Sequence, residues 1–521
     1  MALEIGRRRL NSAVAEARQA GRPVPTTVIV GGGLSGIGAA IQLVRSGLRS
    51  FTVIEQSDGV GGTWRDNSYP GSGCDVPSHL YSFSFATKSD WSRRFAEQPE
   101  ILGYAEDLVH RFDLGPHLRL RTSVTSVRYD DPTGVWLVTV ENPDGSQETL
   151  TADNVVLACG QLNRPYTPDI EGREDFSGPM WHSARWNHDV DLTGRQVAVI
   201  GSGASAIQFV PPVARAAGGV VIYQHSPSYV APKKDRVYGH LARILLERVT
   251  PLERLYRWWI YLSLEARWQW FKRDSWTGNK LRQLFTKEIR VGVVDRGVPA
   301  ESVIPDYPLG CKRILISGEW YPTLLRPDVE VVNDPIERFE ADAVVTRSGD
   351  RRPADVIIFG TGFSTTDFLG AIPVTGRAGV RLSEVWKDGA HAYLGTCVAG
   401  FPNLFVLYGP NTNLGHNSIL FMVERQLNLM LQLMAEQTRQ MTPGRVPAVE
   451  VTAAAWERDD RRTQRWMADT TWVANCHSWY KDARGRVTNN WPSWTARYWW
   501  ETLRMRRRDI VTVAGAPPHL P

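Results

Sequence analysis

Two glycine-rich loops in one chain, Gly31-Gly32-Gly33-Leu34-Ser35-Gly36 and Gly201-Ser202-Gly203-Ala204-Ser205-Ala206, constrain the fold more than any other feature. Each follows an apolar β-branched run, Val28-Ile29-Val30 or Val197-Ala198-Val199-Ile200, and opens a small-residue stretch suited to helix. Strand, glycine turn and helix in that order present backbone N–H groups at a helix N-terminus, where amides and helix dipole bind a pyrophosphate. Two such units predict an α/β protein with two Rossmann-like dinucleotide-binding domains.

The second strand of each unit separates the two sites. After Gly31, Gly33, Ser35 and Gly36 comes a helical stretch from Ala39 to Ser46, then the run Phe51-Thr52-Val53-Ile54, ending at Glu55, 19 positions beyond Gly36. A carboxylate there accepts both ribose hydroxyls of an adenosine and repels a 2′-phosphate, so the first site reads as one for FAD or NAD. After Gly201, Gly203, Ala204 and Ser205, the corresponding strand Gly219–Tyr223 leads to Gln224-His225-Ser226-Pro227, with Lys233 and Lys234 beyond. No acid at the strand tip and nearby positive charge suit a phosphorylated ribose, hence NADPH.

The chain divides at two buried-type strand runs that end in glycine, Val155–Gly160 and Val356–Gly362. This predicts an N-terminal arm at 1–25, polar and helical. It also predicts a discontinuous FAD domain at 26–163 and 353–521, and an inserted NADPH domain at 164–352. Within the insert, Leu241, Leu245, Val249, Leu252, Leu255 and Trp259 recur at steps of three or four over 236–300, with Pro251 dividing the run. That spacing predicts two or three amphipathic helices packed on the NADPH domain and walling a substrate pocket. A membrane-surface patch is the alternative, given Trp258, Trp268, Trp270 and Trp276 in the same stretch.

A net charge of +5 over 521 residues is too diluted to indicate nucleic acid, and the cluster Arg504, Arg506, Arg507 and Arg508 reads as a solvated helix face. The longest aromatic-aliphatic stretch, Trp258 to Leu264, falls far short of the roughly 18 apolar residues that span a bilayer. Arg7, Arg8 and Arg9 precede no apolar core of a secretory signal. Cys74, Cys159, Cys311, Cys397 and Cys476 contain no C-x-x-C pair, which argues against a redox-active disulfide or a structural zinc site and for a cytoplasmic protein.

Between the loops, Phe176, Gly178, His182 and Trp186 form F-x-G-x-x-x-H-x-x-x-W, the fingerprint of type I Baeyer–Villiger monooxygenases. Gly61, Gly62, Trp64, Tyr69, Pro70, Gly71 and Asp75 match a second pattern of that family. Gly310-Cys311-Lys312-Arg313 resembles its segment bearing an active-site arginine, and Gly409-Pro410-Asn411-Thr412 and Ser478-Trp479-Tyr480 extend the resemblance across nearly everything from residue 26 onward. Two departures stand out: Asn187 closes the fingerprint in place of Pro or Asp, and His225 stands where Arg is usual.

The resemblance implies an FAD-dependent, NADPH-consuming enzyme that inserts one oxygen of O2 next to a ketone carbonyl, giving an ester or lactone through a flavin C4a-peroxide. Arg313 would stabilise the peroxide anion and the oxyanion of its ketone adduct, because guanidinium stays charged at any working pH. Asp75 would hold Arg313. Gly62, Thr63, Trp64, Tyr69 and Tyr81 would surround the flavin. Lys312, with His225 and Ser226, would meet the 2′-phosphate, and Trp479 the NADP ribose or nicotinamide. His182 would position the two domains. A heteroatom-oxidising flavin monooxygenase and a non-catalytic, redox-sensing flavoprotein are the alternative readings.

Overall fold

The computed structural model describes residues 2–369, 372–476 and 478–513. Two five-stranded parallel sheets form its centre. In the first, Thr27–Val30 lies between Phe51–Ile54 and Asn154–Leu157, with Leu118–Arg119 and Leu404–Val406 at the edges. In the second, Gln196–Ile200 lies between Gly219–Tyr223 and Val356–Phe359, with Val329–Val332 and Met180–His182 at the edges. Central strands are buried on both faces, which is why they read as unbroken apolar runs. Leu404–Val406 returns to the first sheet after the whole second sheet has been traversed, so one unit is inserted in the other.

The second crossing departs from the expected division at 352/353. Val356–Phe359 pairs with Gln196–Ile200 and Met180–His182, so it completes the inserted sheet, and the chain leaves that sheet only after Phe359. A β-branched run before glycine marks a buried strand but not which of two similar sheets it joins.

The N-terminal segment is no detached arm. Helix Ala2–Gln19 packs along helix Ile419–Gln440, burying Leu10, Ala13, Val14 and Ala17, a stripe at helical spacing. Gly6 permits the close approach: its N–H donates to Asn428 Oδ1 at 2.9 Å, and a Cβ there would stand 2.5 Å from the Asn428 carbonyl oxygen. Arg504 and Arg506–Arg508 are exposed as expected but follow the end of helix Thr495–Leu503 rather than forming a face of it.

The inserted helical stretch also differs from expectation. Helices His240–Arg248 and Thr250–Glu265 are divided just before Pro251, as Pro at a first turn favours. Yet Leu241, Leu245, Val249, Leu255 and Trp259 are exposed, while Glu253 and Glu265 are buried. The apolar stripe faces outward because the inner face is held by polar contacts that hydropathy spacing cannot register.

Cys311 and Cys476 form a disulfide with a Cα–Cα distance of 6.5 Å. Their separation of 165 residues hid the pair, since a disulfide requires spatial neighbours and no local motif. Cys74, Cys159 and Cys397 remain thiols, and burial pushes Cys159 and Cys397 up to about 12, leaving little reactive thiolate. Alkylation in denaturant without reductant should label these three cysteines and spare Cys311 and Cys476, which should react only after reduction. Peptide mass mapping that found all five alkylated from the start would exclude the disulfide.

Candidate active site

Both nucleotide loops open onto one cavity of about 900 Å³. Gly31 and Gly201 occupy the same position in their units, each with positive φ, +107° and +104°. A Cβ on Gly31 would stand 2.7 Å from the Ala158 carbonyl oxygen, and one on Gly201 would stand 2.6 Å from that of Gly360. Each loop is thus seated under the chain crossing beyond its neighbouring strand, which explains why both crossings end in small residues. Gly36 serves packing instead: a Cβ would strike the Gly31 carbonyl, and like Gly32 and Ala206 it does not line the cavity.

The loops fit the two dinucleotides in the chemistry of their donors. Helices Leu34–Arg45 and Ala206–Ala216 begin at Gly33 and Ser205, neither of which caps its helix with a side chain, so first-turn N–H groups remain for an anion. Gly33 and Gly62 form a slot in which a Cβ on Gly62 would stand 3.1 Å from the Gly33 Cα. Glu55, at the tip of its strand, accepts from Gly32 N–H at 2.6 Å and from Ser57 N–H at 2.8 Å, which fixes its carboxylate at the cavity edge. At the second strand tip, Gln224 is turned inward, donating to the Ser302 carbonyl at 2.7 Å and to Asn333 Oδ1 at 2.9 Å. His225 and Ser226 are left lining the cavity, and Lys312 Nζ donates to Ser226 Oγ at 2.6 Å. Lys312 also lies over the Tyr307 ring at 4.6 Å, and burial lowers its pKa against the opposing pull of Asp306.

The segment between the two units joins them. Tyr69 OH donates to Gln208 Oε1 at 2.9 Å, and Gln208 Nε2 donates to the Gly73 carbonyl at 3.0 Å. Gly71 has φ +79° and lies so close to helix Ala206–Ala216 that a Cβ would stand 2.6 Å from the Gln208 carbonyl oxygen. Trp186 packs its ring among Tyr69, Trp181 and Phe209, with centroids 5.5 to 6.4 Å apart. Phe176 is buried beside Gly178, where a Cβ would strike the Asp355 carbonyl, and His182 meets Phe363 edge-on at 5.7 Å. Burial holds His182 down at about 4, so the ring is neutral, and its Nδ1 accepts from Ala184 N–H. These contacts place the motif residues at the seam between the two sheets.

Across that seam Arg313 reaches Asp75, residues 238 apart in sequence. Nε and Nη2 donate to Asp75 Oδ2 at 3.0 and 2.5 Å, so one carboxylate oxygen takes both donors. The Asp75 carboxylate raises the Arg313 pKa above its usual value, fixing the positive charge. Both side chains keep about a quarter of their surface exposed, at 27% and 29%, and both line the cavity. Arg313 is carried by the run into Leu315–Ile316, which pairs in parallel with Val230–Ala231, and its preceding Cys311 is tied to Cys476.

Two residues beyond those expected also act on Arg313. Tyr480 and Tyr408 are its other titratable neighbours, and burial keeps both phenols protonated, Tyr480 at about 12. Tyr408 is held at φ +55°, its N–H donating to Gln426 Oε1 and its OH to Asn413 Oδ1 at 2.8 Å. Its position before Gly409-Pro410-Asn411 is the signal by which the sequence could have shown it. Trp64 donates from Nε1 to Tyr81 OH at 3.0 Å, and both line the cavity, as do Thr63 and Trp479. Trp479 is anchored through its carbonyl, which accepts from Thr365 Oγ1 at 2.8 Å, and stacks obliquely on Tyr480 at 4.5 Å. No residue from 229 to 311 lines this cavity, so the inserted helices do not wall it as expected. Leu414, Ile419, Leu420 and Val423 give it an apolar side instead.

Comparison with known proteins places this geometry. Residues 28–256 match the pyridine nucleotide-disulphide oxidoreductase family. A Baeyer–Villiger monooxygenase of Streptomyces coelicolor is 40% identical over 94% of this chain and 93% of its own, and one of Pseudomonas aeruginosa is 39% identical over 90% and 88%. The structure of OTEMO in complex with FAD and NADP superposes with a TM-score of 0.82 at 27% identity, covering 94% of this chain and all of the other. Oxidised steroid monooxygenase bound to NADP gives 0.81 at 29% identity with the same coverage. The chain belongs to the Baeyer–Villiger monooxygenase family of flavin-dependent monooxygenases.

Proposed function

We propose that the protein converts a ketone, O2, NADPH and a proton into an ester or lactone, NADP+ and water, with FAD at the first loop and NADPH at the second. The observation that carries this reading is Arg313, a cation fixed by Asp75 at the wall of the cavity that both loops share. The chemistry FAD supplies when bound and reduced is the activation of O2. Gly31, Gly33 and Ser35 bind its pyrophosphate, Glu55 its ribose, and Gly62, Thr63, Trp64, Asp75 and Tyr81 line its ring. Gly201, Gly203, Ala204 and Ser205 bind the second pyrophosphate, with Ser226, Lys312 and His225 at the 2′-phosphate and Trp479 at the nicotinamide end. A cytoplasmic setting would supply these cofactors, and there the Cys311–Cys476 disulfide would be unusual.

Arg313 does the electrostatic work. A ketone under nucleophilic attack accumulates negative charge on its carbonyl oxygen, and a preorganised cation stabilises that charge without reorganising. Asp75 prevents the guanidinium from swinging away, and the neutral Tyr408 and Tyr480 add no competing charge. The apolar side formed by Leu414, Ile419, Leu420 and Val423 suits the hydrocarbon part of a ketone.

Arg313→Ala should lower ester formation about a hundred- to a thousandfold, while flavin reduction by NADPH proceeds and oxygen uptake ends in hydrogen peroxide. Anaerobic stopped-flow reduction followed by product analysis in air measures both halves. Near-normal ester formation would remove Arg313 from the reaction and favour a heteroatom oxidation.

Lys312→Ala should lower the NADPH-over-NADH ratio of kcat/KM by about ten- to a hundredfold, the worth of a charge-assisted hydrogen bond of roughly 1.5–3 kcal/mol. The wild-type ratio should itself be modest, because the imidazole of His225 cannot fork onto a phosphate as a guanidinium does. An unchanged ratio in the variant would displace Lys312 from the phosphate site.

A further inference from the structure

Helix Thr250–Glu265 turns its apolar face to the outside. Leu255, Trp258, Trp259 and Leu262, spaced as i, i+3, i+4 and i+7, are each 56% to 67% exposed. Leu241 and Leu245 extend the surface along helix His240–Arg248, which packs against it, and Trp276 opens helix Trp276–Gly292 at 72% exposure. Solvent-facing aromatic and aliphatic side chains at this density mark an interaction surface rather than scattered exposure.

Rotation of the helix cannot bury them, because its inner face is locked by polar contacts. Arg257 donates to the His79 carbonyl and to Ser82 Oγ at 2.6 Å. Glu265 accepts from Thr495 Oγ1 at 2.7 Å, Asn417 Nδ2 at 2.9 Å and Ala496 N–H at 3.1 Å. Ile260 and Leu264 pack on Leu80 between these anchors. Turning the tryptophans inward would break every one of these bonds and expose two buried acids.

Charge selects the occupant. Residues 236–300 hold 13 Lys and Arg against 6 Asp and Glu, whereas the whole chain holds 60 against 55. Glu253 and Glu265 are buried, so the exposed acids Glu247, Asp274, Glu288 and Asp295 stand against exposed Arg236, Arg248, Arg254, Lys272, Arg273, Lys280, Lys287, Arg290 and Arg296, a cationic excess. A second copy docking by two-fold symmetry would set this cationic surface against itself. An anionic phospholipid surface offers the complement: lipid phosphates for the cations and an interfacial layer in which tryptophan rings lie favourably. Among the described residues no helix is long and apolar enough to cross a membrane, so contact would be in the interface plane.

We propose that the face formed by helices His240–Arg248 and Thr250–Glu265, with Trp276 and the surrounding lysines and arginines, docks the protein on anionic phospholipid bilayers. It lies directly over the segment Val76–Leu80 that follows Asp75, so docking would set the cavity close to the bilayer.

The test is flotation of the full-length, FAD-loaded protein with vesicles of phosphatidylcholine alone and of phosphatidylcholine with phosphatidylglycerol. Binding is expected only to the mixed vesicles, falling as salt rises, with a blue shift of tryptophan emission. The double variant Trp258→Ser/Trp259→Ser should bind them at least about tenfold more weakly while keeping its FAD content and melting temperature. Lys280→Glu/Lys287→Glu, which leaves the aromatic face intact, should weaken binding to the mixed vesicles as well. Equal binding to both vesicle types, or undiminished binding by either variant, would overturn the proposal. So would a wild-type dimer in sedimentation velocity that Trp258→Ser/Trp259→Ser converts to a monomer without wild-type vesicle binding.

Discussion

The contact of Tyr69, Gly71 and Gly73 with Gln208 is the constraint on which the active cavity depends. It runs from the end of the first nucleotide unit's own loop system to the first helix of the second, and it has no slack: Gly71 sits where any side chain would meet the helix backbone. Trp186 fills the remaining space with aromatic edges. Because both units are rigid parallel sheets with buried strands, fixing this one seam fixes the distance between the two glycine loops. The two loops then share one cavity rather than facing solvent separately.

Arg313 and Asp75 come from opposite sides of the same seam, so their ion pair is a consequence of the alignment and also reports it. The pair is electrostatically asymmetric. Both guanidinium donors fall on one carboxylate oxygen, which holds the charge in place while leaving part of the guanidinium facing the cavity. A purely structural ion pair has no need of about a quarter of its surface left open to the cavity. The disulfide from Cys311 to Cys476 and the anchoring of Trp479 on Thr365 bind the Arg313 segment to the C-terminal region, so three distant parts of the chain converge on one cation.

Much of the site is legible in the sequence, because its determinants are local. Gly31, Gly33, Gly201 and Gly203 follow β-branched strands, and Gly31 and Gly201 adopt the positive φ that such turns require. Glu55 stands at a strand tip at the right distance. The less legible parts depend on what lies across a packing boundary. Val356–Phe359 reads as a buried strand in either sheet. Leu241, Leu255 and Trp259 read as an inward stripe, and only the buried hydrogen bonds of Arg257 and Glu265 turn that stripe outward. Tyr408 and Tyr480 adjoin or belong to family segments, but nothing in those segments shows that their phenols come beside Arg313.

The sequence by itself determined two strand–loop–helix units, their order, the small residues that dinucleotide loops require and the cation and carboxylate available between them. The units, their order and their small residues arise from backbone sterics and periodicity within about twenty residues, the range over which local chemistry acts; Arg313 and Asp75, 238 positions apart, are marked out only by the family resemblance. Tertiary structure decided the rest: which sheet the last crossing strand joins, which cysteines meet, how the N-terminal helix is buried and which face of the inserted helices meets the outside. Each of those outcomes is a choice between partners of similar local character, and only the simultaneous packing of distant segments makes one choice lower in free energy than the other.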